Sequence, residues 1–196
     1  MDNKTQDIFV PVEISARHIH LSREDAEVLF GKNCQLKILK KLSQGDDFAA
    51  EEKVDVEVNE AMIKGVRVVG PFREKTQLEL TLSDSHFLKT DIPFRLSGDV
   101  VGSRGFRAIG PVGLIDKKEG MIIAKRHLHC SSYDAKKYGL ETGDSIALNL
   151  AGERETTFHQ VLVRVNKDYQ TMVHLDVDEA NACGLKSCGR GKLIIL

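Results

Sequence analysis

Arg17-His18-Ile19-His20-Leu21-Ser22 (RHIHLS) returns later in the chain as Arg126-His127-Leu128-His129-Cys130-Ser131 (RHLHCS). Four of the chain's seven histidines stand in these two hexamers. His18 to His127 and His20 to His129 are both 109 residues apart. The offset runs on past the hexamers: Ser22 meets Ser131, Asp25 meets Asp134 and Ala26 meets Ala135. An apolar run precedes each copy, VPVEISA before the first and GMIIAK before the second. After each comes a Ser-x-x-Asp helix-start signal and a short helical segment, EDAEVLFG or YDAKKYGL, that ends at or near a glycine.

Two fainter copies lie downstream. Glu79-Leu80-Thr81 leads to Asp84, and His174-Leu175-Asp176 leads to Glu179, so each has a capping residue three places before an acid. Glu79 and His174 are 95 residues apart, as are Val66-Arg67-Val68 and Val161-Leu162-Val163. Each half therefore holds two strand–turn–helix units, with 14 fewer residues between them in the second half.

In all four units a metal-ligating residue type stands two places before the cap: His20, Glu79, His129 and His174. Side chains alternate along a strand, so His18 and His20 share a face, as do His127 and His129. Each His-x-His pair is a two-toothed ligand, and Glu79 or His174 supplies a third donor from the matching place in the second unit. Three protein ligands with one position left open is the layout of catalytic zinc. His86 and His159 fall outside the pattern.

Between the units run LKILKKLSQGDDFAAEEKVDVEVNE and DSIALNLAGERETTFHQVLVRV, short alternating strands broken by Gly, Asp and Asn. The expected fold is mainly β with short helices: two small capped β-barrels related by the internal repeat. The glycine-rich stretch SGDVVGSRGFRAIGPVGLIDKKEG reads as hairpins plus an interdomain connection. Composition excludes other classes. Hydrophobic residues make up 41% and charged ones 29%; the net charge of −1 marks neither a nucleic-acid nor an anionic-membrane surface. No apolar run reaches membrane-span length, and the N-terminus lacks the pattern of a secretory signal, so the expected location is the cytoplasm. Cys34, Cys130, Cys183 and Cys188 form no CxxC and read as free buried thiols.

The stretches VPVEISARHIHLS, LKILKKLSQGDDFAAEE, VRVVGPFREKTQLELT, IPFRLSGDV, IAKRHLHCS, LVRV and VHLDVDEAN, in this order, resemble the PduL-type phosphotransacylases, a family of phosphate propanoyltransferases. The resemblance covers the chain from about Phe9 to Leu185. It implies reversible transfer of a short acyl group, propanoyl or acetyl, from coenzyme A to phosphate. It implies two β-barrel domains, 17–124 and 125–196, with strand 8–16 crossing over to complete the second. An active site between them and two zinc ions per chain are implied as well. His18, His20 and Glu79 would hold one ion, and His127, His129 and His174 the other. Arg73 would bind the substrate phosphate with Ser97 close by, although from its KE-rich surroundings alone Arg73 reads as a solvated charge. Ser15, Lys40, Arg67, His174 and Asn181 match positions associated with coenzyme A.

Phosphate is already an anionic nucleophile, so direct attack on a polarised thioester needs no strong general base. This agrees with the lack of a Ser-His-Asp or Cys-His arrangement. The rival mechanism is a covalent acyl-enzyme on Cys130. Two other functions remain open at this level, a zinc-dependent thioester or amide hydrolase and a non-catalytic metal-binding module. Family members in bacterial microcompartments often carry an amphipathic N-terminal tail. Here only MDNKTQDI precedes the first strand, too short and polar for one. Entry to a microcompartment is left to a partner protein, and homo-oligomerisation is left open.

Overall fold

The structure, a computed structural model, describes residues 7–195. Of the MDNKTQDI stretch, residues 1–6 lie outside the described residues. The elements of the first part of the chain are β1 (Ile8–Ser15), β2 (His18–His20), α1 (Arg23–Phe30), β3 (Ile38–Lys41), β4 (Phe48–Val58), β5 (Ala61–Gly70), β6 (Gln77–Leu80), α2 (Leu82–Phe87), β7 (Phe94–Arg95), β8 (Arg104–Ile109) and β9 (Leu114–Ala124). There follow β10 (His127–Ser131), α3 (Ser132–Tyr138), β11 (Ser145–Leu150), β12 (Thr156–Asn166), β13 (Met172–Asp176), α4 (Val177–Ala182) and β14 (Gly189–Ile194).

The chain divides into two compact units: Ala16–Lys125, and the residues up to Ser15 together with Arg126 onward. In the first unit β4, β5, β2, β6, β9 and β8 close a six-stranded ring, with β3 and β7 added at its flanks. In the second, β11, β12, β10, β13, β1 and β14 close a barrel in the same way. The strand senses correspond one for one. β2 runs parallel to β5 and antiparallel to β6, as β10 does to β12 and β13. β6 runs parallel to β9, as β13 does to β1. The repeated sequence thus folds into the same barrel twice. β1, which precedes the first hexamer, is a strand of the second unit's barrel, and β9, which precedes the second hexamer, is a strand of the first unit's.

The alternation read from the sequence sorts the side chains. Ile19 and Leu78 enter the core of the first barrel, and Leu128 and Val173 that of the second, all with no exposed surface. The ligand-type residues between them face the other way. The four short helices owe little to propensity and are held by their ends. Ser22 and Ser131 accept the N–H of Asp25 and Asp134, at 3.1 and 3.0 Å. Thr81 with Asp84, and Asp176 with Glu179, form full capping boxes.

The glycine-rich stretch forms a hairpin as expected, β8–β9, which closes the first barrel; the connection on to β10 lies beyond it, at Lys125 and Arg126. The glycines serve the hairpin itself. At Gly105, beside a register shift, a Cβ would come within 2.3 Å of the Lys117 carbonyl oxygen. All four cysteines are free, but only Cys130 is fully buried. Among the described residues no helix is long and apolar enough to cross a membrane.

Candidate active site

The structure brings the predicted donors together as two separate triads, one in each unit: His18, His20 and Glu79, and His127, His129 and His174. Within each triad the candidate ligand atoms lie within 4.8 Å of one another. Backbone register does this. His18 stands directly opposite Glu79 across the β2–β6 ladder, and His127 directly opposite His174 across β10–β13.

In the first triad, His18 Nδ1 lies 2.8 Å from the Ala16 carbonyl and His20 Nδ1 3.0 Å from that of Val69. A carbonyl only accepts, so both Nδ1 atoms carry a proton, and in the neutral form of each ring Nε2 is then the bare lone-pair donor. Those two Nε2 atoms face each other at 3.1 Å. Glu79 Oε2 is 3.7 Å from His18 Nε2, and Oε1 is 4.0 Å from His20 Nε2. Tetrahedral zinc with ligands at about 2.0–2.1 Å has donor–donor edges of roughly 3.3–3.4 Å. Bare lone pairs this close repel each other unless a cation lies between them, so the donor set fits a divalent ion.

Glu79 is itself held by two neighbours. Its Oε1 accepts from Gln77 Nε2 at 2.6 Å and from the Ser97 hydroxyl at 2.7 Å, leaving Oε2 toward His18. Gln77 also donates to Ser97 Oγ at 2.9 Å and accepts the Gly98 N–H at 2.7 Å. Burial pushes the Glu79 carboxyl up, but the His18 and His20 rings, the Ser97 hydroxyl and Arg73 outweigh it and hold the pKa down at about 2. Burial above all, then the neighbouring His18 ring and the Arg73 guanidinium, pulls His20 down to about 2. The pair at the heart of the triad is therefore a neutral imidazole and a carboxylate.

Arg73 joins this centre through Ser97. Its Nη1 donates to Ser97 Oγ at 3.2 Å, and its Nη2 lies 3.9 Å from Asp47 Oδ2. Its backbone N–H donates to the Leu21 carbonyl, next to His20, at 2.9 Å. With its side chain one-third exposed, the guanidinium can also take an external anion.

The second triad has no anionic member. His127 and His129 meet through Nε2 at 3.0 Å, and the rings of His129 and His174 are 4.7 Å apart. His129 Nδ1 and His174 Nε2 are buried with no hydrogen-bond partner, and the latter lies 3.4 Å from Glu13 Oε2. Buried imidazole nitrogens in this state suit a ligand set for a cation. Burial, then the charges of His127, His174 and Arg164, lowers His129 to about 2.

The residues proposed for coenzyme A are divided between the units. Lys40 is exposed on β3, and the Arg67 guanidinium donates to the Ala50 and Glu51 carbonyls of neighbouring β4 at 2.9 and 3.0 Å. Ser15 lies opposite Asp176, which caps the helix carrying Asn181. Cys130 sits in the core of its unit, where burial pushes its thiol up. A raised, enclosed thiol is a poor nucleophile, so the acyl-enzyme route lacks one there. Sequence reasoning missed Gln77 and Glu13. Gln77 was within reach, since alternation places it on the face of Glu79; Glu13 is brought to His174 only by parallel pairing across the whole chain.

Residues 11–186 match the profile of the phosphate propanoyltransferase family. The chain is 45% identical over 180 residues to the phosphate propanoyltransferase of Priestia megaterium, covering 92% of this chain and 82% of that one. Against the Thermotoga maritima protein of the same name the identity is 42% over 177 residues, covering 90% and 84%. Against that of Rhodobacter capsulatus it is 40% over 183 residues, covering 93% and 85%. On this evidence the chain is an acyltransferase and belongs to the phosphate propanoyltransferase family.

Proposed function

We propose that this chain transfers the propanoyl group of propanoyl-CoA to inorganic phosphate, giving propanoyl phosphate and free coenzyme A, and catalyses the reverse reaction. The observation that carries the reading is the connected set Arg73–Ser97–Glu79–His18–His20: an anion-binding guanidinium tied through one hydroxyl to a triad fit for a metal ion. His18, His20 and Glu79 would hold one zinc ion, and His127, His129 and His174 a second. Zinc bound there supplies a Lewis acid for the thioester carbonyl and a partner for the departing thiolate.

The chain's own residues do the rest. Arg73 takes two phosphate oxygens and aims the third at the acyl carbon. Ser97 fixes the guanidinium and relays its position to Glu79. The phosphate attacks as an anion, so no side chain has to remove a proton from it, and the buried Cys130 stays out of the reaction. Lys40 and Arg67 offer positive charge to the phosphates of coenzyme A, and Ser15, His174 and Asn181 complete its contacts. Acetyl-CoA is one methylene shorter, a difference worth roughly 1–3 kcal/mol in an apolar pocket, so the same reading extends to it at a lower rate.

The test follows the thioester absorbance of propanoyl-CoA with and without phosphate. The reading expects loss that requires phosphate and disappears in Arg73→Ala and His127→Ala. Equal loss without phosphate would make the protein a hydrolase. No loss, with zinc bound, would leave a binding module.

A further inference from the structure

Two pairs of contacts recur in both units, and neither includes a ligand. Arg17, just before His18, places Nη2 3.0 Å from Asp84 Oδ1. Arg126, just before His127, places Nε 2.7 Å from Glu179 Oε1. Each acid is the third residue of the helix that follows the third ligand, and each uses its other oxygen to cap that helix: Asp84 Oδ2 accepts the Thr81 N–H, and Glu179 Oε2 the Asp176 N–H. At the opposite end of the same strands, Thr76 accepts the Ser22 N–H and donates to Asp25 Oδ2. Thr171 likewise accepts the Ser131 N–H and donates to Asp134 Oδ2. The threonines stand three residues before Glu79 and His174. The partners recur in both units although the acid changes from Asp to Glu, the cap from Thr to Asp and the third ligand from Glu to His; the arginine atom differs, Nη2 in the first unit and Nε in the second, and Asp25 also takes Lys117.

These contacts bracket the ladders that build the triads. Each triad depends on a ladder of only three residue pairs, His18–Glu79 to His20–Gln77 and His127–His174 to His129–Met172. A slip of one residue would turn the third donor to the other face. The buried Ile19–Leu78 and Leu128–Val173 pairs oppose such a slip from the core side, and the two clamps hold each ladder at its ends.

We propose that Arg17–Asp84 with Asp25–Thr76, and Arg126–Glu179 with Asp134–Thr171, are positioning residues of the metal triads, each set fixing the register of its own centre. The inference rests on the proposed assignment of the triads as zinc centres. None of these residues touches substrate or ion; they act through the strands.

The experiment titrates zinc-loaded full-length protein with a chromogenic chelator and counts the ions released. Wild type should release two ions per chain, both tightly held. Arg17→Ala should release one of the two at roughly 10–100-fold lower chelator concentration, the range seen when support of a ligand is lost. Arg17→Lys should restore most of the affinity, because the contact to Asp84 is made by a single nitrogen. Arg126→Ala should weaken one ion to a similar degree, and the double variant both. If Arg17→Ala disturbs folding by stranding buried Asp84, Thr76→Val tests the other clamp with a side chain of equal size. The cobalt-loaded variants should show an altered visible spectrum at one centre, a signal that lower stability alone does not produce. Two ions held as tightly as in wild type, in both Arg17→Ala and Thr76→Val, would overturn the proposal and leave the zinc assignment standing. Wild type that binds neither zinc nor cobalt would overturn both.

Discussion

Ser97→Ala removes a hydroxyl that touches both Arg73 and Glu79. The hydroxyl donates to Glu79 Oε1 at 2.7 Å and accepts from Arg73 Nη1 at 3.2 Å and from Gln77 Nε2 at 2.9 Å. A hydrogen bond to a charged group contributes about 1.5–3 kcal/mol. Ser97 is only half-buried, and Glu79 Oε1 keeps its bond from Gln77, so the low end applies: about 1.5 kcal/mol, or roughly tenfold. The loss should fall mainly on phosphate, because the guanidinium is freed while the triad keeps all three donors. The assay is steady-state turnover of propanoyl-CoA with phosphate varied, alongside zinc content. KM for phosphate should rise about tenfold, with zinc content and KM for propanoyl-CoA little changed. An unchanged KM for phosphate with a tenfold lower kcat would refute the reasoning, because Ser97 would then serve the acyl centre and not the phosphate anchor.

Gln77→Met, which installs the residue found at the matching position of the second unit (Met172), strips one donor from Glu79 and one from Ser97 and leaves the Gly98 N–H without its acceptor. Urea unfolding should show a loss of about 3 kcal/mol, summing one charge-assisted and two ordinary bonds. In protein freed of metal by chelation, stability should fall with acid. His20 and His129 sit at about 2 in the folded chain against an ordinary 6.5, so below pH 6.5 the unfolded chain binds the extra protons. Their contribution is present above pH 6.5 and is lost from there toward 2, at roughly 1.4 kcal/mol per pH unit for each. Glu79, at about 2 against 4.5, adds the same sign between those values. His20→Gln should flatten the urea-midpoint curve by about one proton, and an unchanged slope would contradict the assigned burial. Cys130→Ala should keep turnover within about twofold while costing about 1 kcal/mol of core packing; abolished turnover with zinc retained would restore the acyl-enzyme route.

Much of the site could be read along the chain because its information is periodic. Two histidines two apart share a strand face whatever the strand pairs with, and a doubled offset brings out the third donors. The four helix starts were legible for the same local reason, since a cap bonds only three residues away. Gln77 was within reach of the same alternation, but Glu13 and the Arg17–Asp84 and Arg126–Glu179 pairs were not legible as partners. Their distances depend on which strands pair and in what register, and the partners of a parallel strand can lie anywhere in the chain. Glu13 and His174 meet across β1 and β13, from opposite ends of the sequence.

The repeat, the strand-rich character and the two sets of ligand-type residues were therefore determined by the sequence itself, through spacing alone. Tertiary structure alone decided that the hairpin of the glycine-rich stretch closes the first barrel, and that Glu79 presents one oxygen to the histidines while Gln77 and Ser97 hold the other. Spacing records which face of a strand a side chain takes. Only the closing of a barrel, which brings together groups scores of residues apart, decides what that face meets.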